Sequence, residues 1–204
     1  MLELIVVRHG QSIADIEKRF EGRADFELTD LGVEQAKRLA SWIHEHCIPT
    51  EIISSPLRRA SRTAEIIGNA CGVNVLIDPD IMEWDNGLLA GMKRDEGKAK
   101  FPLPPGGRKL HDTYAQTESY IQFRARAESF LSKLLDEHDV NAAKRLCIVS
   151  HGGFINMLLR SFLKLPVDTQ VTIATGDTGV HSLRITDKDR RIVFTNCQEH
   201  LRTL

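Results

Sequence analysis

The sequence predicts an α/β fold, a three-layer α/β/α sandwich whose sheet is mostly parallel with one antiparallel edge strand. Short apolar runs typical of buried strands alternate along the chain with amphipathic segments at helical spacing. The runs at 4–7 and 146–149 are continuously apolar, as expected for strands with both faces covered. Near the end of the chain the link 186–190 is too short for a crossover, so its two flanking strands must be antiparallel.

The ends of the helices follow from residues that favour or stop them. Thr29 is the expected N-cap of the first long helix, and Pro49 stops that helix. Gly72 ends the second helix, and the prolines and glycines at 102–107 exclude a continuous helix or central strand there. The predicted elements are strand 4–7, a loop over 13–26, helix 29–47, strand 51–55, helix 60–71, strand 73–77, helix 123–134, strand 146–149, helix 154–163, and strands 180–185 and 191–196.

Composition limits the class of protein. With 204 residues the chain is long enough for a substantial core, and we expect one domain over 1–204 with an excursion over the site at about 78–117. The formal net charge of -1 gives no general attraction to nucleic acid or to a membrane surface. There is no signal-peptide pattern and no apolar run of membrane-spanning length. These observations predict a cytoplasmic protein without nucleic-acid or membrane partners, and they leave the oligomeric state open.

Two apolar strands each run into a histidine and a glycine. Arg8, His9 and Gly10 follow the first run, and His151 follows the run at 146–149 with Gly152 after it. The carboxyl ends of parallel strands meet at the edge where open α/β sheets bind ligands. A cation and an imidazole there suit an anionic substrate, and an imidazole can also be a nucleophile. Spacing alone does not decide which histidine has which role.

Four motifs in order resemble those of the histidine phosphatase superfamily, the phosphoglycerate mutase-like group, in its phosphatase branch. The motifs are Arg8-His9-Gly10, Ser54-Ser55-Pro56-Leu57-Arg58-Arg59-Ala60, Glu83 with Gly87, and Ser150-His151-Gly152-Gly153. The resemblance covers roughly residues 2–196. It implies that His9 is the nucleophile and forms a phosphohistidine, and that His151 binds and stabilises the phosphoryl group.

Arg8 and Arg59 are the candidate charge clamp, because a guanidinium fork matches the oxygens of a phosphoryl group in transfer. Arg58 and Arg59 are adjacent and compete for this role. The family motif has an arginine directly before alanine, which selects Arg59 and leaves Arg58 and Arg62 facing solvent.

Glu83 is the candidate general acid, because a leaving alkoxide departs more easily when a carboxylic acid protonates it. A single glutamate after a strand is usually only solvated, and the catalytic interpretation depends on the family spacing from Glu83 to Gly87. Gly152 opens the helix after His151, so the free N–H groups at that helix start are expected to face the same anion.

The chain departs from the family where the rest of the substrate would bind. Gln11 replaces an acidic residue, Ala14 a tryptophan and Asp15 an asparagine, and an Asp15 near phosphate would repel it unless it points away or contacts a substrate hydroxyl. Basic residues in the excursion favour either a solvated surface or contact with a second anionic group: Lys93, Arg94, Lys98, Lys100, Arg108 and Lys109. The predicted substrate-binding residues are Gln11, Ser12, Asp15, Glu21, Gly22 and Gly152.

The sequence therefore predicts a metal-independent histidine phosphatase that hydrolyses a small phosphorylated metabolite and needs no cofactor. The stretch 44–46, His-Glu-His, does not predict a metal site, because helix positions i and i+2 face different directions.

One alternative is a cofactor-dependent phosphoglycerate mutase. Such mutases carry Arg-His-Tyr-Gly after the acid and a longer arginine-bearing insertion, whereas this chain has Trp84-Asp85-Asn86-Gly87 and a short insertion. The other alternative is a non-catalytic phosphate-binding protein on the same fold, which would need no nucleophile.

Overall fold

The computed structural model describes residues 1–202, and within them the chain forms one mixed sheet of six strands. The strand order across the sheet is β3-β2-β4-β1-β5-β6. The strand that precedes His9 is therefore central, with strands from the second half of the chain on either side. The strands are β1 Leu2–Arg8, β2 Glu51–Ser54, β3 Val75–Ile77, β4 Lys144–Ser150, β5 Val180–Ile185 and β6 Arg190–Cys197.

The direction of the strands confirms the predicted fold class. β1 pairs in parallel with β4, and β2 pairs in parallel with both β4 and β3. β5 is antiparallel to β1 and to β6, as the short link 186–190 requires. The reversed strand β5 thus lies one position inside the edge strand β6.

Helices cover both faces of this sheet. Along β1, Leu4 and Val6 pack into a core with α5 and α6, while Ile5 and Val7 pack into a second core with α2 and α3. This division follows from the alternation of side chains along a strand, and it explains why the run is apolar throughout. The helices are α1 Ile13–Glu17, α2 Asp30–His46, α3 Arg58–Cys71, α4 Arg94–Lys100, α5 Tyr120–Glu137 and α6 Gly152–Phe162.

Three elements differ from the expected pattern: α1, the start of β3, and α4, which lies where no helix was predicted. The stretch 13–26, expected to be a loop, contains the short helix α1, whose N-cap Ser12 and residue Asp15 form a reciprocal capping box. The third strand begins at Val75 and not at 73, because the N–H of Val73 donates to the carbonyl of Gly68 and completes the end of α3.

The stretch that follows β3 contains α4. Its backbone pairs with the segment that follows α1: the N–H of Phe20 donates to Met92 O, and the N–H of Gly91 donates to Phe20 O. Gly97 of α4 packs against the Phe20 ring, where an added Cβ would lie 2.8 Å from a ring carbon. The excursion is thereby held next to the end of β1. Over residues 1–202, no helix is both long and apolar enough to cross a bilayer.

Candidate active site

His9 lies directly after β1, and the backbone fixes it on both sides. Its N–H donates to Ser150 O (3.0 Å) and its carbonyl accepts from the N–H of Thr178 (3.2 Å). Gly10 follows because the chain then passes close to α2: a Cβ on Gly10 would lie 2.4 Å from Gly32 O. At this strand end, the backbone therefore makes a close approach to α2 that only glycine allows.

The His9 ring has one nitrogen bound to the backbone and one facing an arginine. Nδ1 is 2.7 Å from Gly10 O, which assigns the proton to Nδ1, since a carbonyl only accepts. Nε2 then carries the lone pair, and Nε of Arg59 donates to it at 3.2 Å. Burial, Arg59 and Arg8 together hold the pKa of His9 well below its usual 6.5. A neutral imidazole with Nε2 unprotonated is the form that can act as a nucleophile.

His151 lies beside His9, with ring centroids 5.0 Å apart. Its Nε2 is 2.8 Å from Ser55 Oγ. Ser55 Oγ accepts the N–H of Leu57 (3.3 Å), and its hydroxyl has both a hydrogen to give to His151 Nε2 and a second lone pair to accept from it. When the hydroxyl donates, the proton of the neutral His151 ring is on Nδ1. Burial, Arg59 and His9 hold the pKa of His151 well below 6.5.

Arg59 is fully buried and crosses the site. Besides the bond to His9, it donates to Gly22 O (2.8 Å) and Ala24 O (3.0 Å), and its Nε is 3.6 Å from the Glu21 carboxylate. Burial lowers the pKa of Arg59 and the charge of Glu21 raises it, so the buried cation is compensated locally. Its neighbour Arg58, in contrast, is exposed.

Arg8 is held by the segment before β5. Its Nη1 donates to Thr175 O (2.9 Å), and its Nη2 is 3.2 Å from Asp177 and 3.7 Å from Asp15. Burial raises the pKa of Asp177, while Arg8 lowers it. Among the described residues, Arg8 Nε and His151 Nδ1 are buried polar atoms without a hydrogen-bond partner.

Glu83 lies against the start of α6. Its Oε2 accepts the N–H of Gly153 (2.9 Å), and its Oε1 accepts those of Phe154 (3.1 Å) and Trp84 (2.8 Å). A carboxylate at a helix N-terminus is favoured by the unpaired N–H groups and the helix dipole. The charge of Glu83 also acts on Arg59, so the carboxylate belongs to the same electrostatic cluster as His9.

The residues predicted to bind substrate have partners within the protein. Gln11 accepts a hydrogen bond from the Thr29 hydroxyl (2.9 Å), so its side chain supports the start of α2. Ser12 Oγ donates to Asp15 Oδ2 (3.0 Å) and to Glu21, while Gly22 O accepts from Arg59.

The side chain of Asp15 is directed toward Ser12 and Arg8. Its carboxylate oxygens are therefore engaged within the protein. Burial raises the pKa of Glu21, while Arg59 and Ser12 lower it. Gly152 lies against the Arg8 side chain, where an added Cβ would be 3.7 Å from Cδ. Direct contact of these residues with a substrate stays a prediction.

A cleft of about 470 Å³ opens beside Glu83, a size suited to a small ligand. Of the basic residues expected near the substrate, Arg94 and Lys98 line it, because they are one turn apart on α4. Arg108 instead stacks on the Trp84 ring (5.1 Å). The cleft is lined by Arg19, Phe20, Glu21, Gly22, Glu83, Trp84, Asn86, Arg94, Lys98 and Gly153.

Several residues that build the site were not found from the sequence. Asp177 and Thr175 lie in a segment without periodicity, so nothing local indicated their contact with Arg8. Ser55 and Gly153 belong to two of the four family motifs, but no role was assigned to them. The pair of small residues after each strand was the pattern that could have indicated their contacts with the site. Within residues 1–202, no group of three or more His, Cys, Asp or Glu is arranged to hold a metal ion, and His44 and His46 are exposed.

Known proteins are similar to this chain in sequence and in fold. Residues 4–198 match the family described as the histidine phosphatase superfamily (branch 1). Proteins named Probable phosphoglycerate mutase GpmB are 34% identical over 171 residues in Escherichia fergusonii and 35% identical over 176 residues in Proteus mirabilis, each match covering 81% of this chain and 77% of the relative.

Two solved phosphatases are similar in structure. A mycobacterial glucosyl-3-phosphoglycerate phosphatase in complex with VO3 superposes with a TM-score of 0.83 at 26% identity, covering 96% of this chain and 99% of that one. The H9A mutant of a phosphoserine phosphatase from Entamoeba histolytica, in complex with phosphoserine, gives 0.80 at 25% identity, covering 98% and 100%. Because the family model matches residues 4–198, nearly the whole chain, the chain belongs to the histidine phosphatase superfamily, branch 1.

Proposed function

We propose that this protein hydrolyses the phosphate monoester of a small metabolite through a phosphohistidine on His9, without a metal ion or cofactor. The observation that carries the proposal is the pairing of a neutral imidazole with unpartnered buried donors. His9 Nε2 holds a lone pair, and Arg8 Nε is a buried donor without a partner. His151 Nδ1 is a second such donor in the tautomer in which Ser55 Oγ donates to Nε2. Buried donors without partners are costly, and the oxygens of a phosphoryl group would satisfy them.

In the first step, the Nε2 lone pair of His9 attacks phosphorus and the P–O bond to the leaving group breaks. Arg8, Arg59 and His151 stabilise the charge on the phosphoryl oxygens. Glu83 in its acid form gives its proton to the leaving oxygen, so that an alcohol departs. Backbone N–H groups occupy three of the roughly four acceptor positions of the carboxylate, which holds the group in place while one position serves the proton.

In the second step, water attacks the phosphorus of phosphohistidine and the P–N bond breaks. The Glu83 carboxylate takes a proton from that water, inorganic phosphate leaves, and His9 recovers its neutral ring. The bond between His9 Nδ1 and Gly10 O keeps the same ring orientation throughout, so the nitrogen that leaves phosphorus is ready for the next substrate.

We further propose a substrate with a second anionic group. Arg19, Arg94 and Lys98 line the cleft beyond Glu83, and their charges would attract a carboxylate or a second phosphate. The similar phosphatases named above act on glucosyl-3-phosphoglycerate or bind phosphoserine, and each of these compounds carries a carboxylate beside its phosphate ester.

A phosphoglycerate mutase is the second candidate, favoured by the names of the relatives that are 34% and 35% identical. A mutase returns the phosphoryl group of His9 to an acceptor hydroxyl, whereas a phosphatase transfers it to water. The two candidates therefore share the first step and differ in the products.

The test is rapid quenching with a radiolabelled phosphate ester. We expect an acid-labile phosphoryl group on His9, release of inorganic phosphate as the main product, and unchanged turnover after treatment with EDTA. His9→Ala should abolish both the label and turnover. Label on His151 would reverse the two roles, phosphoglycerate isomerisation in excess of phosphate release would favour the mutase, and absence of any label or turnover would favour a binding protein.

We also propose the domain organisation, the cellular location and the class of partner of this protein. Residues 1–204 act as one domain, with the excursion at about 78–117 over the site. The protein works in the cytoplasm on a small-molecule partner, with neither nucleic acid nor membrane involved. Cell fractionation and limited proteolysis test these expectations directly.

A further inference from the structure

Arg126 lies on α5, is not one of the residues that line the cleft, and directs its donors at the chain around Glu83. Its Nη1 donates to Asp80 O (2.7 Å) and Met82 O (2.6 Å), and its Nη2 donates to Glu83 O (3.2 Å). Its Nε and Nη2 donate to the carboxylate of Glu118 at 3.1 and 2.8 Å. These bonds use all five N–H donors of a guanidinium, so none is left for a substrate.

The backbone that carries Glu83 is irregular, and its other hydrogen bonds come from scattered groups, such as Met82 N–H to Pro79 O and Glu118 N–H to Asp85 O. Residues 82–86 lie in neither helix nor strand, between short helical turns at Pro79–Ile81 and Gly87–Leu89. Arg126 donates to three backbone carbonyls of this segment, which would be bonded within the element in a regular helix or strand. Its side chain is 13% exposed and that of Glu118 is 10% exposed, so solvent screens the pair only weakly.

Arg126 also contacts the residue that holds the Glu83 carboxylate. Its guanidinium carbon lies 5.6 Å from the centre of the Phe154 ring and 4.9 Å from that of Phe123. The N–H of Phe154 in turn donates to Glu83 Oε1. One cation thus fixes both the main chain of Glu83 and the helix start that receives its side chain.

We propose that Arg126 is a positioning residue that sets the location of the Glu83 carboxylate. The proposal rests on the role of Glu83 given above. A lysine at this position keeps the charge but has a single nitrogen, which cannot reach Asp80, Glu83 and Glu118 at once. The carboxylate would then shift, and a shift of about 1 Å in a catalytic group can cost on the order of 10²-fold in rate.

The experiment compares Arg126→Lys, Glu83→Gln and the double variant, using kcat/KM for an alkyl phosphate and for p-nitrophenyl phosphate. Arg126→Lys should lower kcat/KM for the alkyl ester on the order of 10-fold and for the nitrophenyl ester by less, because only the alkyl leaving group needs the proton. In the Glu83→Gln background, Arg126→Lys should cause no further loss, since the group it positions is gone.

Arg124→Lys is the matched control. Arg124 is a buried arginine of α5, and it donates to Glu128 one turn later on the same helix and to Leu165 O (2.9 Å), beyond the far end of α6. It should lower the unfolding midpoint without changing the ratio between the two esters. Should Arg126→Lys fail to fold, Glu118→Gln, which keeps an acceptor but removes the charge, gives the same ratio test with a smaller expected loss.

Two results would overturn the proposal: an unchanged ratio in Arg126→Lys when Glu83→Gln does change it, or a loss that adds in full to that of Glu83→Gln. The function of Glu83 is decided separately by the single variant. If Glu83→Gln slows both esters equally, the general-acid role fails, while absence of further loss in the double variant would still show that Arg126 acts through Glu83.

Discussion

Gly153 lies so close to Glu83 that a Cβ atom added to it would be 2.4 Å from Oε1. We therefore expect Gly153→Ala to displace the carboxylate and to lower kcat/KM for an alkyl phosphate by roughly 10–10²-fold, through loss of part of the acid–base contribution. The measurement is steady-state kinetics alongside thermal unfolding. Because alanine is favoured over glycine within a helix, we expect little loss of stability to accompany the loss of rate.

The adjacent glycine provides the control for that substitution. A Cβ on Gly152 would meet only the flexible Arg8 side chain, at 3.7 Å, which is ordinary van der Waals contact. Gly152→Ala should thus cost much less than Gly153→Ala with the alkyl ester. Equal losses for both would show that the glycines serve the helix start as a whole and not the Glu83 carboxylate.

The pH dependence of the reaction should report the depressed pKa of His9. Burial, Arg59 and Arg8 lower that pKa from 6.5, so the nucleophile is protonated, and kcat/KM falls, only as the pH drops well below 6.5. The acid limb of the profile should lie at the same pH for two esters whose phosphate groups have different pKa values. A limb caused by ionisation of the substrate, near pH 6, would instead move with the ester.

Arg8→Met should move the same limb to higher pH, because it removes one of the charges that disfavour the imidazolium. The exposed Arg58 allows a matched control, Arg58→Met, which should leave the limb in place. A limb at or above pH 6.5 in the wild type would contradict the neutral buried nucleophile.

The cations of the cleft should select substrates with a second anionic group. Arg94→Ala combined with Lys98→Ala removes two charges, each worth about 0.5–1 kcal/mol when exposed. KM for a phosphorylated carboxylic acid should rise roughly 5–30-fold, and that for p-nitrophenyl phosphate should barely change. Lys93→Ala with Lys100→Ala is the control, since neither lines the cleft. A rise in KM for both substrates alike would count against recognition of a second anion.

Stability should fall on acidification because of His181. Burial lowers the pKa of this fully buried residue from 6.5 to about 4. Between these pH values the unfolded chain binds a proton that the folded chain does not, so the free energy of unfolding falls as the pH drops from 6.5 toward 4, by at most about 1.4 kcal/mol per pH unit. Denaturant unfolding at several pH values measures this slope.

His181→Gln should reduce that slope, whereas substitution of the exposed His44 by glutamine should not. His181 also helps to position Arg8. Its Nε2 is 2.9 Å from the hydroxyl of Thr175, and the carbonyl of Thr175 accepts a hydrogen bond from Arg8. An identical slope in wild type and His181→Gln would refute its contribution.

The parts of the site that the sequence predicted are those written in local patterns. Each apolar strand ends at a histidine, and β1 and β4 pair so that Arg8 is opposite Ser150, which brings His9 and His151 together. The helix α1 was missed although Ser12 and Asp15 have the spacing of a capping box, because five residues are too few to show helical periodicity.

The remaining parts depend on contacts between distant segments, which local patterns do not encode. Arg126 has the appearance of an ordinary polar residue in an amphipathic helix, and only the folded chain shows that its donors meet the segment around Glu83. Asp177 is likewise an acidic residue in an irregular segment until β5 places it beside Arg8. The cleft beside Glu83 was also not predicted, since it forms where the stretch after β3 pairs with the chain around Phe20.

The central place of β1 in the sheet has a consequence for biosynthesis. The ribosome makes this strand well before its partners β4 and β5, which begin only at residues 144 and 180. At about 5–20 residues per second, the apolar strand that leads to His9 waits roughly 10–30 s for its second neighbour. During that interval it exposes both edges to chaperones and to other nascent chains. His9 gains its full surroundings only when β5 arrives, so we expect a chain that stops before β5 to lack turnover.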